Sequence, residues 1–383
     1  MKNQLRIIAL LVTFSQAGWA QWQANLYFNQ AYESNPFRLP DNEASWISVI
    51  DIGLQYGFGD FAISYRGDYT YFTNFLDRNH YWHQAAFFGE IGPTKLGVYY
   101  NQRYNKNLFS LYDYYTAVAY INHTADLAGI NVFFAGNGIL TKYDELNDLD
   151  NFELNGMIRL NKSFETRTTF IAGFGMYYKD YTQSYTMIDT VARSGSEQTG
   201  NGMGPGVGDG SSGTYYLELE APSVSQWQGW VRLAQSVFER TGLSVQYHMR
   251  KSLTGSARFV SGPTLGYNEE SEIFDDPLGY ELNSFGTELT SILPEQIILK
   301  ASYYQGRKNY ITQGIYLTEE LYDPEILRND QYHTASFNLR KTFPAGNMNY
   351  EIRLWYQWYS NTSNSFWYNY QNHYSSISFG INF

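Results

Sequence analysis

From residue 44 onward the chain alternates with period two. Between Ala44 and Phe58 the even positions read Trp46, Ser48, Ile50, Ile52, Leu54, Tyr56 and Phe58, against Ile47, Val49, Asp51, Gly53, Gln55 and Gly57 at the odd ones. One face is apolar and the other mostly polar or small, which is the signature of a strand with two unlike sides. Parity inverts across Gly59-Asp60, as at a tight hairpin turn: Phe61, Ile63, Tyr65, Tyr69 and Tyr71 share one face, and Ser64, Arg66, Asp68 and Thr70 the other. The pattern recurs near 22–32, 45–58, 61–74, 80–91, 95–105, 112–122, 127–139, 151–161, 165–179, 225–238, 243–253, 280–292, 296–307, 331–343, 348–360 and 371–383. These are about sixteen segments, each near the ~10 residues that a tilted membrane strand requires. No helical period of useful length intervenes.

Composition narrows what such strands can build. The chain has 383 residues, 18% of them aromatic, with 36 Tyr and no Cys. The aromatic load argues against disorder. The missing cysteine excludes a disulfide scaffold, a Cys-type zinc site and a cysteine-anchored lipoprotein. Mean hydropathy is −0.42, and no segment approaches the run of about 20 apolar residues that a membrane helix needs. Lys2 and Arg6, the apolar Ile7 to Phe14 and the small-x-small site Gly18-Trp19-Ala20 read as a signal peptide over 1–20, with the mature chain starting at Gln21. Losing Lys2 and Arg6 takes the net charge from −11 to −13, a poor balance for a nucleic-acid partner.

The connections alternate in length. Short ones fall at Gly59-Asp60, Gly92 to Thr94, His123 to Asp126, Asn161 to Phe164, Glu239 to Gly242, Pro294-Glu295 and Pro344 to Asn347, with long ones at 180–224, 254–279 and 308–330. The last strand places Ser375, Ile377, Phe379, Ile381 and the terminal Phe383 on one face. This ending resembles the closing strand of bacterial outer-membrane β-barrels, and the resemblance covers residues 21–383. It implies an all-β fold: a transmembrane, antiparallel, up-and-down barrel of about sixteen strands with short periplasmic turns and long extracellular loops. It also implies that Ile377, Phe379, Ile381 and Phe383 form the signal read by the barrel-assembly machinery. The hairpin carrying Trp358, Asn361, Ser363-Asn364 and Tyr368 is similar to one common in export-type barrels. A soluble sandwich shares the period, but it explains neither the export signal, the terminal Phe nor the loop asymmetry.

Strand parity nominates the lumen face. Its basic candidates are Arg66, Arg103, Arg159, Arg167, Arg232, Arg250, Lys300, Arg340 and Arg353; its acidic ones are Asp51, Asp68, Glu90, Glu153, Glu288 and Glu351. The Gly59-Asp60 turn sets Asp51 opposite Asp68 with Arg66 nearby. The Pro344 to Asn347 turn sets Arg340 opposite Glu351. Trp82, Tyr99, Tyr115, Tyr177, Trp230, Tyr304, Trp355 and Tyr359 point inward on the same reading, either filling space or offering faces to sugar rings.

Residues 193–213 are rich in glycine and read as the flexible tip of a hairpin; if its flanks, 185–191 and 214–220, entered the membrane, the strand count would become eighteen. His373 and Ser375 share an outward face and resemble the His-x-Ser element of lipid A deacylases, but Ser376-Ile377 departs from that motif and no acid is placed to orient the histidine. No cofactor or metal motif stands out. The expected function is therefore a channel for hydrophilic solutes, saccharides or a polymer in the cell outer membrane, in contact with outer-membrane lipids, the assembly machinery and an export or surface partner at the long loops. A lipid hydrolase using His373/Ser375 and a plugged, partner-binding barrel are the alternatives.

Overall fold

A computed structural model describes residues 22–182, 216–218, 223–261 and 276–383. The expected leader and the glycine-rich tip lie outside these residues. Sixteen strands make one closed sheet: β1 (Trp22–Glu33), β2 (Ser45–Phe58), β3 (Phe61–Phe72), β4 (His80–Ile91), β5 (Thr94–Asn105), β6 (Tyr114–Leu127), β7 (Ile130–Tyr143), β8 (Asn151–Ser163), β9 (Thr168–Tyr181), β10 (Ser223–Phe238), β11 (Thr241–Ser252), β12 (Tyr280–Ile292), β13 (Ile298–Tyr310), β14 (Asn329–Ala345), β15 (Met348–Ser363) and β16 (Tyr370–Asn382). Each strand pairs antiparallel with its sequence neighbours. β16 closes on β1 from Asn382 opposite Asn25 to Tyr374 opposite Glu33, and Phe383 N–H donates to the Ala24 carbonyl at 2.9 Å. Closure satisfies the backbone of both terminal strands, which a sheet facing lipid cannot leave open.

β9 pairs directly with β10, from Asp180 opposite Ser223 to Thr168 opposite Gln235. The flanks of the glycine-rich stretch therefore insert no strand into the wall, and the count is sixteen rather than eighteen. Two short ribbons, Tyr216–Glu218 with Phe259–Ser261 and Ile315–Tyr316 with Tyr322–Asp323, lie in the long connections.

Three expected boundaries move, each for a local backbone reason. The β6–β7 turn is Ala128-Gly129 rather than His123 to Asp126. Both residues have positive φ (55° and 75°), Asp126 accepts from Gly129 N–H at 3.0 Å, and the two strands run further than the alternation alone suggests. The β14–β15 turn shrinks to Gly346-Asn347, with Gly346 at φ 61° and pairing continuing through Pro344 opposite Asn349. This shifts the register by two residues. Arg340 faces Arg353, not Glu351, and Glu351 faces Thr342. Arg167 sits in the β8–β9 turn at φ 61°, one residue before β9, and so lies off the strand wall.

The outward face is apolar: Ile50, Ile63, Phe87, Val98, Phe134, Leu154, Ile158, Phe174, Val231, Phe337, Leu354, Ile377 and Phe379 are all exposed. In water such a surface would be a large liability; in hydrocarbon it is the requirement. Buried apolar clusters instead lie inside the barrel at the long-loop rim, for example Ala31, Phe37, Ile47, Phe72 and Phe75, and Tyr181, Val224, Ala257 and Leu278. The long connections thus fold inward and pack on the ends of the strands.

Candidate functional site: the barrel interior

Along the wall, glycines pair with aromatic residues. Trp230 lies opposite Gly173, Tyr304 opposite Gly286, Tyr332 opposite Gly306 and Tyr27 opposite Gly380. In each pair the ring covers the space that a glycine Cβ would take. The rings therefore lie against the wall instead of projecting across the interior. A glycine is weak in a strand because it packs nothing; here the neighbouring ring covers the bare backbone. Of the aromatics expected inside, Tyr115 is the exception. Its pairing with Gln102 turns it outward beside Tyr100, with ring centroids 5.7 Å apart, and Tyr114 takes the inward position opposite Arg103. The alanines at 117 and 119 gave that strand two faces of similar polarity, so parity could not be read there.

The wall places Asp51, Arg66, Asp68, Arg103, Glu153, Arg159, Arg232, Arg250, Lys300, Arg340, Glu351 and Arg353 on the inward face. Asp51 does face Asp68, and Arg66 Nε donates to Asp51 at 2.5 Å while its guanidinium lies 5.9 Å from the Trp82 ring. The cation relieves the repulsion between the two acids. Arg232 bonds Glu288 at 3.0 Å and Arg353 bonds Glu351 at 2.9 Å. Arg159 lies over Phe133 at 4.6 Å. Glu90 pairs with Lys95 at 3.1 Å near the short-turn rim.

The neighbourhood of β13–β15 differs. Arg340 faces Arg353 directly, and Lys300 lies opposite Asn338, one diagonal step away. Like charges directly opposite one another are unfavourable unless something neutralises them. The nearby acids are already engaged: Glu351 pairs with Arg353, and Glu288, diagonal to Lys300, pairs with Arg232. Lys300 is exposed, the Arg353 side chain is 42% exposed, and the inward Trp355 beside them is 38% exposed. Side chains exposed on the inner face of a closed barrel border an internal space that the described residues leave unfilled.

The long-loop mouth holds a second, drier set. The Arg328 guanidinium lies between the rings of Tyr310 (4.0 Å) and Tyr368 (3.2 Å), pairs with Asp330 and donates to Gln313 Oε1 at 3.1 Å. Lys179 bridges Asp276 at 2.8 Å and Glu153 at 3.1 Å. Arg78 lies over Phe109 and Phe37, Arg258 over Tyr181, and Lys308 over Tyr280. In the loop before β6, burial raises the Asp113 carboxyl above its ordinary range, against the lowering effect of the hydrogen bonds from Asn105. At the opposite rim, the hydrogen bond and charge of Lys341 hold Glu295 below its ordinary value. None of Arg78, Lys179, Arg258, Lys308 or Arg328 stands out in the sequence. The strands run past their visible alternation to 181 and 310, and the loop cations are brought in by tertiary packing.

His373 and Ser375 share the outward face, but the His373 ring bonds Tyr356 Oη through Nδ1 at 3.0 Å, and the wall pairs Ser375 with Tyr356. Among the described residues the histidine does not engage the serine and has no carboxylate partner. Among the described residues no group of His, Asp and Glu side chains could hold a metal.

The sequence matches no protein-family model and no curated protein. Solved structures do share the architecture. OccAB1 of Acinetobacter baumannii superposes with a TM-score of 0.51 at 9% identity, over 94% of this chain and 96% of that one. OpdK of Pseudomonas aeruginosa, solved with vanillate, gives 0.50 at 10% identity over 94% and 99%. CdiB from Acinetobacter baumannii gives 0.52 at 9% identity over 94% of this chain but 60% of its own length. This chain has the fold of outer-membrane β-barrels. In that fold short turns face the periplasm and long connections the cell exterior; here the terminal face of Ile377, Phe379, Ile381 and Phe383 lies on the outward, apolar side of β16.

Proposed function

We propose that this outer-membrane barrel passes small hydrophilic solutes and favours anions that carry a flat ring. The observation that carries this reading is the solvent-exposed inward face of β13–β15, where Lys300, Arg340 and Arg353 stand beside an exposed Trp355. Passage needs a wet path with several weak, replaceable contacts, not one tight site. Cations bind carboxylates through charge-assisted hydrogen bonds, and a tryptophan face accepts a ring. OpdK, of the same fold, was solved with vanillate, a small aromatic carboxylate of this description. The stacked tyrosines at the mouth support the same preference for flat solutes: Tyr332 and Tyr359 have centroids 6.1 Å apart and rings 7° from parallel, and Tyr359 and Tyr370 are 5.6 Å apart at 17°.

The test is liposome swelling with the purified mature barrel, comparing isotonic uptake of a sugar acid, its neutral sugar and an amino sugar of equal size. Faster entry of the acid is expected. Equal rates for all three, or no entry, would overturn the reading.

A further inference from the structure

One arrangement recurs three times on the lipid side of the wall. Tyr65 Oη bonds His83 Nδ1 at 2.6 Å, Tyr303 Oη bonds His333 Nδ1 at 2.8 Å, and Tyr356 Oη bonds His373 Nδ1 at 3.0 Å. Each tyrosine lies seven residues before the extracellular end of its strand, on β3, β13 and β15. Each histidine lies three or four residues into the next strand. The three pairs therefore sit at one height. Below them the outward face is apolar, as in Phe337, Leu354, Ile377 and Phe379. Above the β13–β16 pairs it is polar, with Arg307, Gln331, Ser360, Thr362 and Gln371. The pairs mark the boundary between hydrocarbon and the outer headgroup layer.

Two of the pairs are neighbours, and a cation joins them. Arg307 is exposed and faces Gln331, so His333 is its diagonal neighbour. His333 faces Ser360, which faces Gln371, two residues before His373. Arg307, His333 and His373 thus span four adjacent strands, about 14 Å across the sheet at the usual strand spacing. Among the described residues Arg307 has no acidic partner. An unpaired outward arginine is costly in hydrocarbon and tolerated at the interface, where phosphate groups supply the counter-charge. Each histidine engages its tyrosine through Nδ1, which leaves Nε2 as the group available to a ligand.

We infer that the outward patch of Arg307, His333 and His373 binds the phosphate of an outer-leaflet lipid headgroup, with Tyr303 and Tyr356 as positioning residues that fix the two imidazoles. Charge complementarity selects the occupant: Glu281, diagonal to Arg307 across β12–β13, is already paired with Lys251 at 2.5 Å, so one full cation, two imidazoles and the Gln331, Ser360 and Gln371 side chains are left to suit a phosphorylated headgroup. The site lies on the opposite side of the wall from the lumen and is independent of what passes through it.

The experiment is native mass spectrometry of the full mature barrel in detergent, titrated with diphosphorylated lipid A and, separately, with its dephosphorylated form. The wild type should retain the phosphorylated lipid at least tenfold better. Arg307→Ala combined with His333→Ala should lose at least tenfold of that retention, whereas Arg307→Lys should keep most of it. Tyr303→Phe should give an intermediate loss. Heat-modifiable migration separates loss of binding from loss of folding, and the wild-type comparison of the two lipids needs no variant. Equal retention of both lipids, or unchanged retention in the folded double variant, would overturn the inference. So would a wild-type oligomer that dissociates in that variant, since the patch would then be covered by a second copy of the chain.

Discussion

Replacing Lys179 with Met tests whether the extracellular mouth is held by buried charge. Lys179 is 4% exposed and lies 2.8 Å from Asp276 and 3.1 Å from Glu153, tying the segment before β12 to the inner face of β8 and β9. At an effective dielectric of about 20, contacts of that length correspond to about 6 and about 5 kcal/mol of attraction. Most of that offsets the cost of taking three charges out of water. Removing one partner still costs about 3–5 kcal/mol, because the remaining carboxylates stay buried without their cation. The loss falls on docking of the loop, since the ladder hydrogen bonds of β9 do not involve the side chain. The undocked population should rise by roughly two to three and a half orders of magnitude. Hydrogen exchange reads this locally. Leu278 N–H donates to Asp276 Oδ1 at 3.0 Å and Gly279 N–H to the Asp276 carbonyl at 2.9 Å, and both amides should lose protection while those of β8 and β9 keep theirs. Asp276→Leu in the same background should return part of the protection at Gly279, whose acceptor is the backbone carbonyl, but not at Leu278, whose side-chain acceptor it removes. Unchanged protection at 278 and 279 in Lys179→Met would refute the reasoning, as would an equal loss across the whole barrel.

Three other outcomes are expected. Gly286→Ala would set a methyl into the Tyr304 ring; the ring must swing off the wall, which should cost about 1–3 kcal/mol in barrel stability and lower single-channel current, measured by heat-modifiability and planar-bilayer recording. Arg328→Ala removes a cation stacked on two tyrosines and paired with Asp330; a loss of about 3–5 kcal/mol is expected, seen as faster limited proteolysis of 311–328 in an otherwise folded barrel. Ser375→Ala should leave fatty-acid release from added lipid A at the wild-type level, because His373 engages Tyr356 and not the serine; a serine-dependent release would show that the outward pair does chemistry.

The architecture was legible because a barrel writes its closure into every strand. Alternation fixes which side chains face outward, and the loop asymmetry separates this fold from a sandwich of the same period. Errors arose where a single residue decides the register. A turn at Gly346-Asn347 rather than across Pro344 moved Arg340 from Glu351 to Arg353, and thereby set two cations opposite one another. The inward position of most charged strand residues could be read from parity. Their partners could not, since Arg232 with Glu288 and Lys179 with Asp276 are set by distances of 56 and 97 residues along the chain. The mouth was least legible. Arg78, Arg258 and Arg328 sit in connections whose composition resembles any surface loop, and only packing shows that they turn inward onto rings.

The most direct test of an open, anion-favouring lumen is the reversal potential of single channels formed by the refolded mature barrel in a salt gradient. A stable current with a reversal potential on the anion side is expected, and it should move toward neutrality when Lys300, Arg340 and Arg353 are together replaced by alanine. A folded, heat-modifiable barrel that stays silent, or one that conducts with cation preference, would contradict it.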